Sequence, residues 1–292
     1  MRVTQFEIYR NFLGDLERLN SDFAAASRQI SSGKKLTQMS DSPGGASDLI
    51  SLTEQLAKMD LYRSNADTGL FFLGVAESAL NEVNNLFTSI YTKGSQAASE
   101  LVTDDARAMF AEEIRALRDQ ILSLANAKAR NRFLFAGSLV TAAPFVKSGD
   151  SVTYQGDGDV SSVRISKGVE IELCVPGSAP FNAIFTRIES LLVAMDGNDL
   201  SGMRSELQQF SSALSDLGQV RGQIGSRLGL LDGIRAKLDS SETLLKKQKS
   251  SIEDTDLVAA AMQLNQTKTA LDAAMTAGGS FLSQRNLFDI LG

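Results

Sequence analysis

The sequence lacks histidine and tryptophan, and it has one cysteine and four prolines among 292 residues. A single cysteine cannot form an internal disulfide, and one cysteine without histidine argues against a zinc site. The Ser-His-Asp and Cys-His nucleophile systems are excluded because both need histidine. We therefore expect no metal, no cofactor and no enzymatic activity, and we interpret Cys174 as a small apolar residue in a strand.

Clustered positive charge and long apolar runs are also missing. The 29 Lys and Arg are outnumbered by 35 Asp and Glu, which gives a formal net charge of −6. Because phosphate binding depends on clustered cations, we expect no nucleic-acid partner. No run of about 18 apolar residues could span a membrane, and residues 1–6 lack the apolar core of a cleavable signal peptide. We expect no membrane partner and, for any export, a different signal.

Helical periodicity is what the sequence has in abundance. Near each end, apolar residues recur in alternating steps of three and four, which is the spacing of a coiled coil. The N-terminal row comprises Tyr9, Phe12, Leu16, Leu19, Phe23, Ala26 and Ile30. The C-terminal row comprises Leu257, Ala261, Leu264, Lys268, Leu271, Met275, Gly278 and Leu282. Two such rows at opposite ends of one chain predict that the terminal helices pair with each other.

The stretches between these rows predict further helices. A second helix should run from about Pro43 to about Lys93, and the phase of its apolar row changes near residues 74–77. Thr103 should cap a third helix, because its hydroxyl can accept from the first turn. Helix returns near Ile184, breaks at residues 197–199 and continues as a last long helix. These lengths predict a mainly α and elongated protein.

Five glycines interrupt the last long helix, at positions 218, 222, 225, 229 and 233. Each costs about 1 kcal/mol relative to alanine in a helix interior, so the group needs an explanation. Either the segment frays, or another helix approaches it very closely. Apolar residues keep helical spacing throughout, and we therefore favour the close approach.

The period changes to two from about residue 141 to residue 180. Three or four short strands are predicted there, separated by Gly-Asp and Lys-Gly turns, and together they form a small β insert. The run from Gly156 to Asp159 alternates Gly and Asp, which also suggests a calcium loop. The EF-hand spacing and its closing Glu are absent, so we favour a hairpin turn.

Short polar segments connect the predicted helices. Gly33 suits the left-handed end of the first helix. Ser42 and Pro43 are typical of the cap and first residue of the next one, and Asp41 lies in the same connector. Near the C-terminus, Ser251 with Asp254 has the spacing of a capping box before the terminal helix.

These connectors also carry a resemblance to a known family. Residues 28–35 (Arg-Gln-Ile-Ser-Ser-Gly-Lys-Lys) and 40–46 (Ser-Asp-Ser-Pro-Gly-Gly-Ala) resemble the N-terminal signature of bacterial flagellins. Residues 251–256 and 287–291 resemble the C-terminal signature. Within that superfamily, residues 1–4, the phrase Phe-Leu-Phe-Ala-Gly-Ser at 133–138 and Tyr-Gln-Gly-Asp at 154–157 are similar to proteins of the hook–filament junction.

The resemblance implies a fold with three parts. An inner domain would pair the terminal helices, a helical bundle would follow it, and a small antiparallel β domain would lie outermost. The corresponding ranges are 1–42 with 255–292, then 43–140 with 181–254, and finally 141–180.

The resemblance also implies a function. The chain would be a structural subunit of the bacterial flagellum that joins hook to filament. An alternative is a filament flagellin with a shortened outer domain. The implied partners are further copies in a ring or short helical zone, neighbouring hook-associated and flagellin subunits, and an export chaperone. The implied location is extracellular, after type III export.

The terminal rows are then the candidate assembly interface. We expect each row to need cover from neighbouring subunits, and the terminal helices to fold on polymerising. The interface residues are Tyr9, Phe12, Leu16, Leu19, Phe23, Ile30, Leu257, Leu264, Leu271, Leu282, Leu287, Phe288 and Leu291. The interdomain connector residues are Gly33, Asp41, Ser42 and Pro43.

Overall fold

A computed structural model describes the backbone of residues 2–149 and 151–288, and side chains within 7–280. The helices in this part of the chain are α1 (Arg2–Ser32), α2 (Pro43–Ala97), α3 (Asp104–Ala125), α4 (Ser178–Asp196), α5 (Leu200–Glu253) and α6 (Leu257–Phe288). Among them, none combines the length and the apolar content needed to cross a membrane. The prediction of a mainly α chain with a small β insert is confirmed.

Six short strands pair as three separate antiparallel hairpins in the described residues. They are β1 (Lys128–Ala129) with β2 (Arg132–Phe133), β3 (Phe145–Ser148) with β4 (Ser151–Tyr154), and β5 (Ser162–Ser166) with β6 (Val169–Glu172). The predicted Lys-Gly turn joins β5 to β6, and Gly168 there has a φ of +77°. The β1–β2 hairpin was not predicted, because its strands are two residues long. Cys174 lies just beyond β6 and is half-buried.

The chain forms two compact units. The first comprises Met1–Lys58 and Ser241–Gly292, and so contains α1, α6, the start of α2 and the end of α5. The second comprises Met59–Ser240 and contains the remaining elements. The division into three domains remains a prediction.

The second unit has a continuous apolar core. Helix α2 buries a row that does not break at residues 74–77, because Ala76 is 4% exposed and continues it. Phe87 of that row stacks on Phe210 of α5, with ring centroids 4.4 Å apart. From the β3–β4 hairpin, Phe145 packs edge-on against Phe181 of α4. The hairpins therefore extend the helical core.

The glycines of α5 do not lie at a close approach, so that prediction is wrong within this chain. A Cβ added at any of the five positions would meet no atom within 4 Å. In the second unit, two glycines of α2 lie at close approaches instead. A Cβ on Gly69 would lie 3.0 Å from Leu231, and one on Gly94 would lie 2.9 Å from Leu191. Both glycines are buried in the apolar row of α2. A glycine within such a row was the sequence feature that could have predicted the close approach.

Turns at one end of α3 are held together by a buried arginine. Thr103 caps α3 as predicted, accepting from the Ala106 amide at 3.3 Å. Arg107 is 4% exposed and donates to the Ala97 carbonyl at 3.1 Å and to Asn198 Oδ1 at 2.9 Å. The α2–α3 and α4–α5 turns are thus joined by one guanidinium. Sequence pattern alone treats such an arginine as outward-facing.

Candidate functional site

Helices α1 and α6 pack against each other in the first unit. The predicted row on α1 is the one that faces α6, and Ala26 at its centre is 3% exposed. Tyr9 is the exception, because 43% of it is exposed. The half-buried members of the row are Phe12, Leu16, Leu19, Phe23 and Ile30.

On α6, every second residue of the predicted row from Ala261 to Met275 is exposed, and the residue just before it is buried or half-buried instead. The buried or half-buried residues are Ala260, Leu264, Thr267, Leu271, Ala274 and Gly278. Leu264, Leu271 and Gly278 were predicted. The other three lie one residue before the predicted Ala261, Lys268 and Met275, and one residue is a rotation of roughly 100° about the helix axis. Small side chains are buried there because α1 lies close, which hydrophobicity alone does not indicate.

The remaining predicted residues of the C-terminal helix are placed as follows. Leu257 is 55% exposed, so it is not part of the contact with α1. Leu282, Leu287 and Phe288 belong to α6, but their side chains lie outside the described residues. Leu291 lies outside the described residues altogether.

Large apolar side chains are exposed on the α1–α6 pair outside the buried contact. Val258 is 70% exposed, and Met262 and Met275 are each 58% exposed. On α1, Leu13 is 42% exposed. Together with Leu257, they are large apolar side chains left exposed on the paired helices, and we call this set the exposed apolar surface. Single exposed apolar residues are ordinary, whereas a group of them on paired helices marks a surface for contact.

The charged residues of α1 lie beside this apolar surface. Arg10 pairs with Glu7 at 3.7 Å and Arg18 with Asp15 at 3.2 Å, each across one turn. All four side chains are at least 60% exposed. Exposed pairs of this kind contribute little stability, so they remain available to a partner.

The two connectors meet beside the end of α1. Backbone hydrogen bonds run from the Lys35 amide to the Glu253 carbonyl at 2.6 Å and from the Thr255 amide to the Gly33 carbonyl at 3.0 Å. Gly33 has the left-handed φ of +69° that this turn requires. Lys34 Nζ lies 2.5 Å from the buried Glu253 carboxylate, which raises the pKa of Lys34. We call this arrangement the connector clasp.

The start of α2 is built as the sequence predicts. Ser42 Oγ accepts from the Gly45 amide at 3.2 Å, and Pro43 is the first helical residue. The Asp41 carboxylate accepts from the amides of Gln38 at 2.8 Å and Thr37 at 3.0 Å, and these bonds lower the pKa of Asp41. The connector segment is therefore a structured turn.

The predicted cap of α6 is wrong. Helix α5 continues to Glu253, and the Ser251 hydroxyl donates to the Gln248 carbonyl one turn back. Asp256 caps α6, accepting from the amides of Val258 at 2.9 Å and Ala259 at 3.2 Å. Asp256 directly before the helical run was the signal, and it is one of the preferred cap residues.

In the second unit, two of the quoted phrases meet in space. Ser138 donates to Asp157 through its amide at 2.6 Å and also through its hydroxyl. These two bonds lower the pKa of Asp157. The Tyr154 hydroxyl donates to the Asp157 carbonyl at 2.8 Å. The Gly-Asp run is thus a packed loop between β4 and β5, which do not pair with each other, so the predicted hairpin turn is wrong. Gly137, with a φ of +72°, leaves no room for a side chain beside Asp157.

The sequence is similar to those of known flagellar proteins. The bacterial flagellin N-terminal helical region matches residues 7–139. Flagellar hook-associated protein 3 of Escherichia coli is 26% identical over 305 residues, covering 95% of this chain and 96% of that protein. The protein of the same name from Salmonella typhimurium is 25% identical over 283 residues, covering 88% and 89%.

A solved structure shows the same fold. It is that of a putative flagellar hook-associated protein from Vibrio parahaemolyticus, with a TM-score of 0.68. The likeness covers 73% of this chain and 100% of that one. At 22% identity it bears on the fold alone.

Proposed function

Because the chain is similar to bacterial flagellins over residues 7–139 and to flagellar hook-associated protein 3 over most of its length, we propose that it is a member of the flagellin superfamily and a structural subunit that joins the flagellar hook to the filament. Flagellins and hook-associated proteins are structural components of the flagellum, so the role is structural rather than enzymatic. In this proposal the subunit polymerises through α1 and α6. Its partners are further copies in a ring or short helical zone, with hook-associated and flagellin subunits on either side, outside the cell after chaperone-assisted export.

The exposed apolar surface on the α1–α6 pair is the observation that carries the assembly mechanism. A pair of helices has one shared contact, and here it buries Ala26, Ala260 and Gly278. Val258 and Met262 lie elsewhere on α6 and stay exposed. Covering apolar side chains on association contributes about 25 cal/mol per Å². Neighbouring subunits that cover them would therefore stabilise both the pair and the polymer.

The contact is expected to be heterologous. A junction between two tubular polymers needs each subunit to present different surfaces to the subunits before and after it. Contacts of that kind generate rings or helical arrays rather than closed dimers. The exposed ion-paired residues of α1 would then lie at contacts between subunits.

Labelling in isolated hook–filament preparations tests the location. Antibody-bound gold should mark a short zone where the hook meets the filament. Gold along the whole filament, or long filaments formed by the purified protein alone, would instead indicate a filament flagellin with a shortened outer domain. Absence of gold from flagella would overturn the proposal.

Substitutions on α6 test the mechanism. Leu264→Asp disrupts the contact with α1, whereas Met262→Asp changes a residue that α1 does not cover. Both should abolish joining of hook to filament, and so should Leu16→Asp on α1. Asn265→Asp is the matched control, since Asn265 is already polar and exposed. If Met262→Asp joined hook to filament normally, the exposed surface of α6 would not be an assembly contact.

A further inference from the structure

The β1–β2 hairpin concentrates positive charge in an acidic chain. Three of its five residues from 128 to 132 are basic, and all three are exposed. Each cation lies over a phenylalanine ring: Lys128 over Phe133 at 4.3 Å, Arg130 over Phe71 at 4.7 Å, and Arg132 over Phe72 at 5.9 Å from the ring centroid. We call Lys128, Arg130 and Arg132 with these rings the cationic hairpin.

None of these three cations has a carboxylate partner among the residues whose side chains the structure describes. Other arginines in the same unit do, such as Arg221 with Glu77 at 2.7 Å and Arg187 with Glu206 at 3.2 Å. A ring holds a cation through its quadrupole but leaves the charge in place. The cationic hairpin is therefore ordered and not neutralised, in a chain whose net charge is −6.

The turn that presents the charge uses an uncommon backbone. Arg130 and Asn131 have φ values of +47° and +62°, a region that residues other than glycine seldom adopt. This turn sets Arg130 over Phe71, which is 40% exposed. Arginine beside a partly exposed aromatic ring is the composition of protein–protein interfaces. The partner that fits carries a carboxylate flanked by apolar side chains.

The same chain offers such a surface at the other end of α3. Leu101 is 94% exposed and Met109 is 69% exposed. Asp105 lies between them, one turn from Met109 on the same face of the helix, and it forms no ion pair within the described residues. We call these three residues the acidic end of α3.

One molecule cannot join its own two surfaces. Helix α3 has 22 residues, which is about 33 Å of helix between the acidic end and the hairpin that follows its last turn. Two copies can join them, with the hairpin of one against the acidic end of the next. The contact uses two different patches, so it can repeat without closing into a dimer.

We propose that the cationic hairpin docks onto the acidic end of α3 in a second copy of this chain. The proposal rests on the proposed function, because it adds a contact between subunits to that of the terminal helices. The contact depends on attraction between exposed charges, so it should weaken as the salt concentration rises.

A charge exchange tests the contact in full-length protein. Arg130→Glu and Asp105→Arg should each reduce the amount of subunit retained on isolated hooks by about tenfold, which corresponds to about 1.4 kcal/mol. The double variant should restore retention. Lys167→Glu makes the same charge change at the exposed β5–β6 turn and should have no effect. Circular dichroism and the Tm of each variant show that folding is unchanged.

A disulfide test identifies the partner. In a Cys174→Ser background, Arg130→Cys combined with Asp105→Cys should give oxidised dimers and longer ladders of this chain in isolated flagella. A chain present in flagella but not cross-linked, or cross-linked to a different protein, overturns the docking proposal while leaving the proposed function standing. If the wild-type chain is absent from flagella, both proposals fail together.

Discussion

The ring of Phe12 lies directly over Gly278, where it occupies the space that any larger residue would need. A Cβ built on Gly278 would lie 2.6 Å from Cζ and 2.9 Å from Cε1 of that ring. Of the two adjacent glycines at 278 and 279, Gly278 is therefore the one that contacts α1. Among the described residues, no atom lies within 4 Å of a Cβ added to Gly279.

This difference gives a matched pair of variants. Gly278→Ala should weaken the α1–α6 contact by about 1–3 kcal/mol, because the ring of Phe12 must move. Gly279→Ala adds the same helix propensity without the clash and should stabilise α6 by about 1 kcal/mol. Retention on isolated hooks, measured for both, should fall only for Gly278→Ala. Equal behaviour of the two variants would contradict the contact.

A second pair of variants tests the close approach of α2 in the second unit. A Cβ on Gly94 would lie 2.9 Å from Leu191 and 3.0 Å from Leu207. Gly94→Ala should therefore destabilise the fold by about 1–3 kcal/mol and lower the Tm by several degrees. Gly74→Ala on the same helix meets no atom within 4 Å and should raise the Tm slightly. A higher Tm for Gly94→Ala would show that the side chains of Leu191 and Leu207 move aside at little cost, and would contradict the prediction.

The hydrogen bonds from Ser138 to the Asp157 carboxylate should make stability depend on pH. The bonds from Ser138 lower the pKa of Asp157 in the folded state. The ionised carboxylate therefore stabilises the fold above its unfolded-state pKa of about 3.9, and this contribution is lost as the pH falls through the folded value. Asp157→Asn should lower the Tm at pH 7, with the difference from wild type shrinking towards pH 3.

The control for that prediction is Asp159→Asn, which removes the same charge two residues away. It should leave the shape of the Tm profile unchanged. If Tm varied with pH in the same way for wild type and for Asp157→Asn, the hydrogen bonds from Ser138 would not stabilise the ionised Asp157 carboxylate.

The terminal helices should be less stable in the free subunit than after assembly. The α1–α6 pair buries one side, so its amides should exchange faster than those of α4, whose apolar face is enclosed. Hydrogen exchange on the soluble protein and on isolated flagella should show protection of α1 and α6 rising on assembly. Strong protection of both helices in the free protein would contradict folding on polymerisation.

Sequence pattern predicted the helices well because their apolar rows are long. On α5, the apolar residues Leu217, Val220, Ile224 and Leu231 keep helical spacing and are all buried. It failed where small residues decide the contact. Ala274 is buried in place of the larger Met275, and Ala260 in place of Ala261, which has the same side chain, so hydrophobicity does not decide between the two helical phases. The choice depends on how closely α1 lies, which a single sequence does not contain.

The location of the candidate site on the terminal helices could be predicted from the sequence, but many of its individual contacts could not. The clasp between Gly33 and Thr255 joins two segments more than 200 residues apart, and only their separate turn signals were visible. Arg107 was missed because two of its partners, Ala97 and Asn198, belong to separate turns that only the fold brings together. The cationic hairpin was missed because its strands are too short for a period-two pattern.

The outward glycines of α5 have a mechanical consequence. No atom of the described residues lies within 4 Å of a Cβ built on any of them, so their cost in helix propensity, about 5 kcal/mol for the five, is not offset by local packing. The helix is held by its buried side, and once that packing is lost the segment from 218 to 233 should unwind readily. If the subunit is exported as an extended chain, as the proposed function implies, this segment should cost little to unwind.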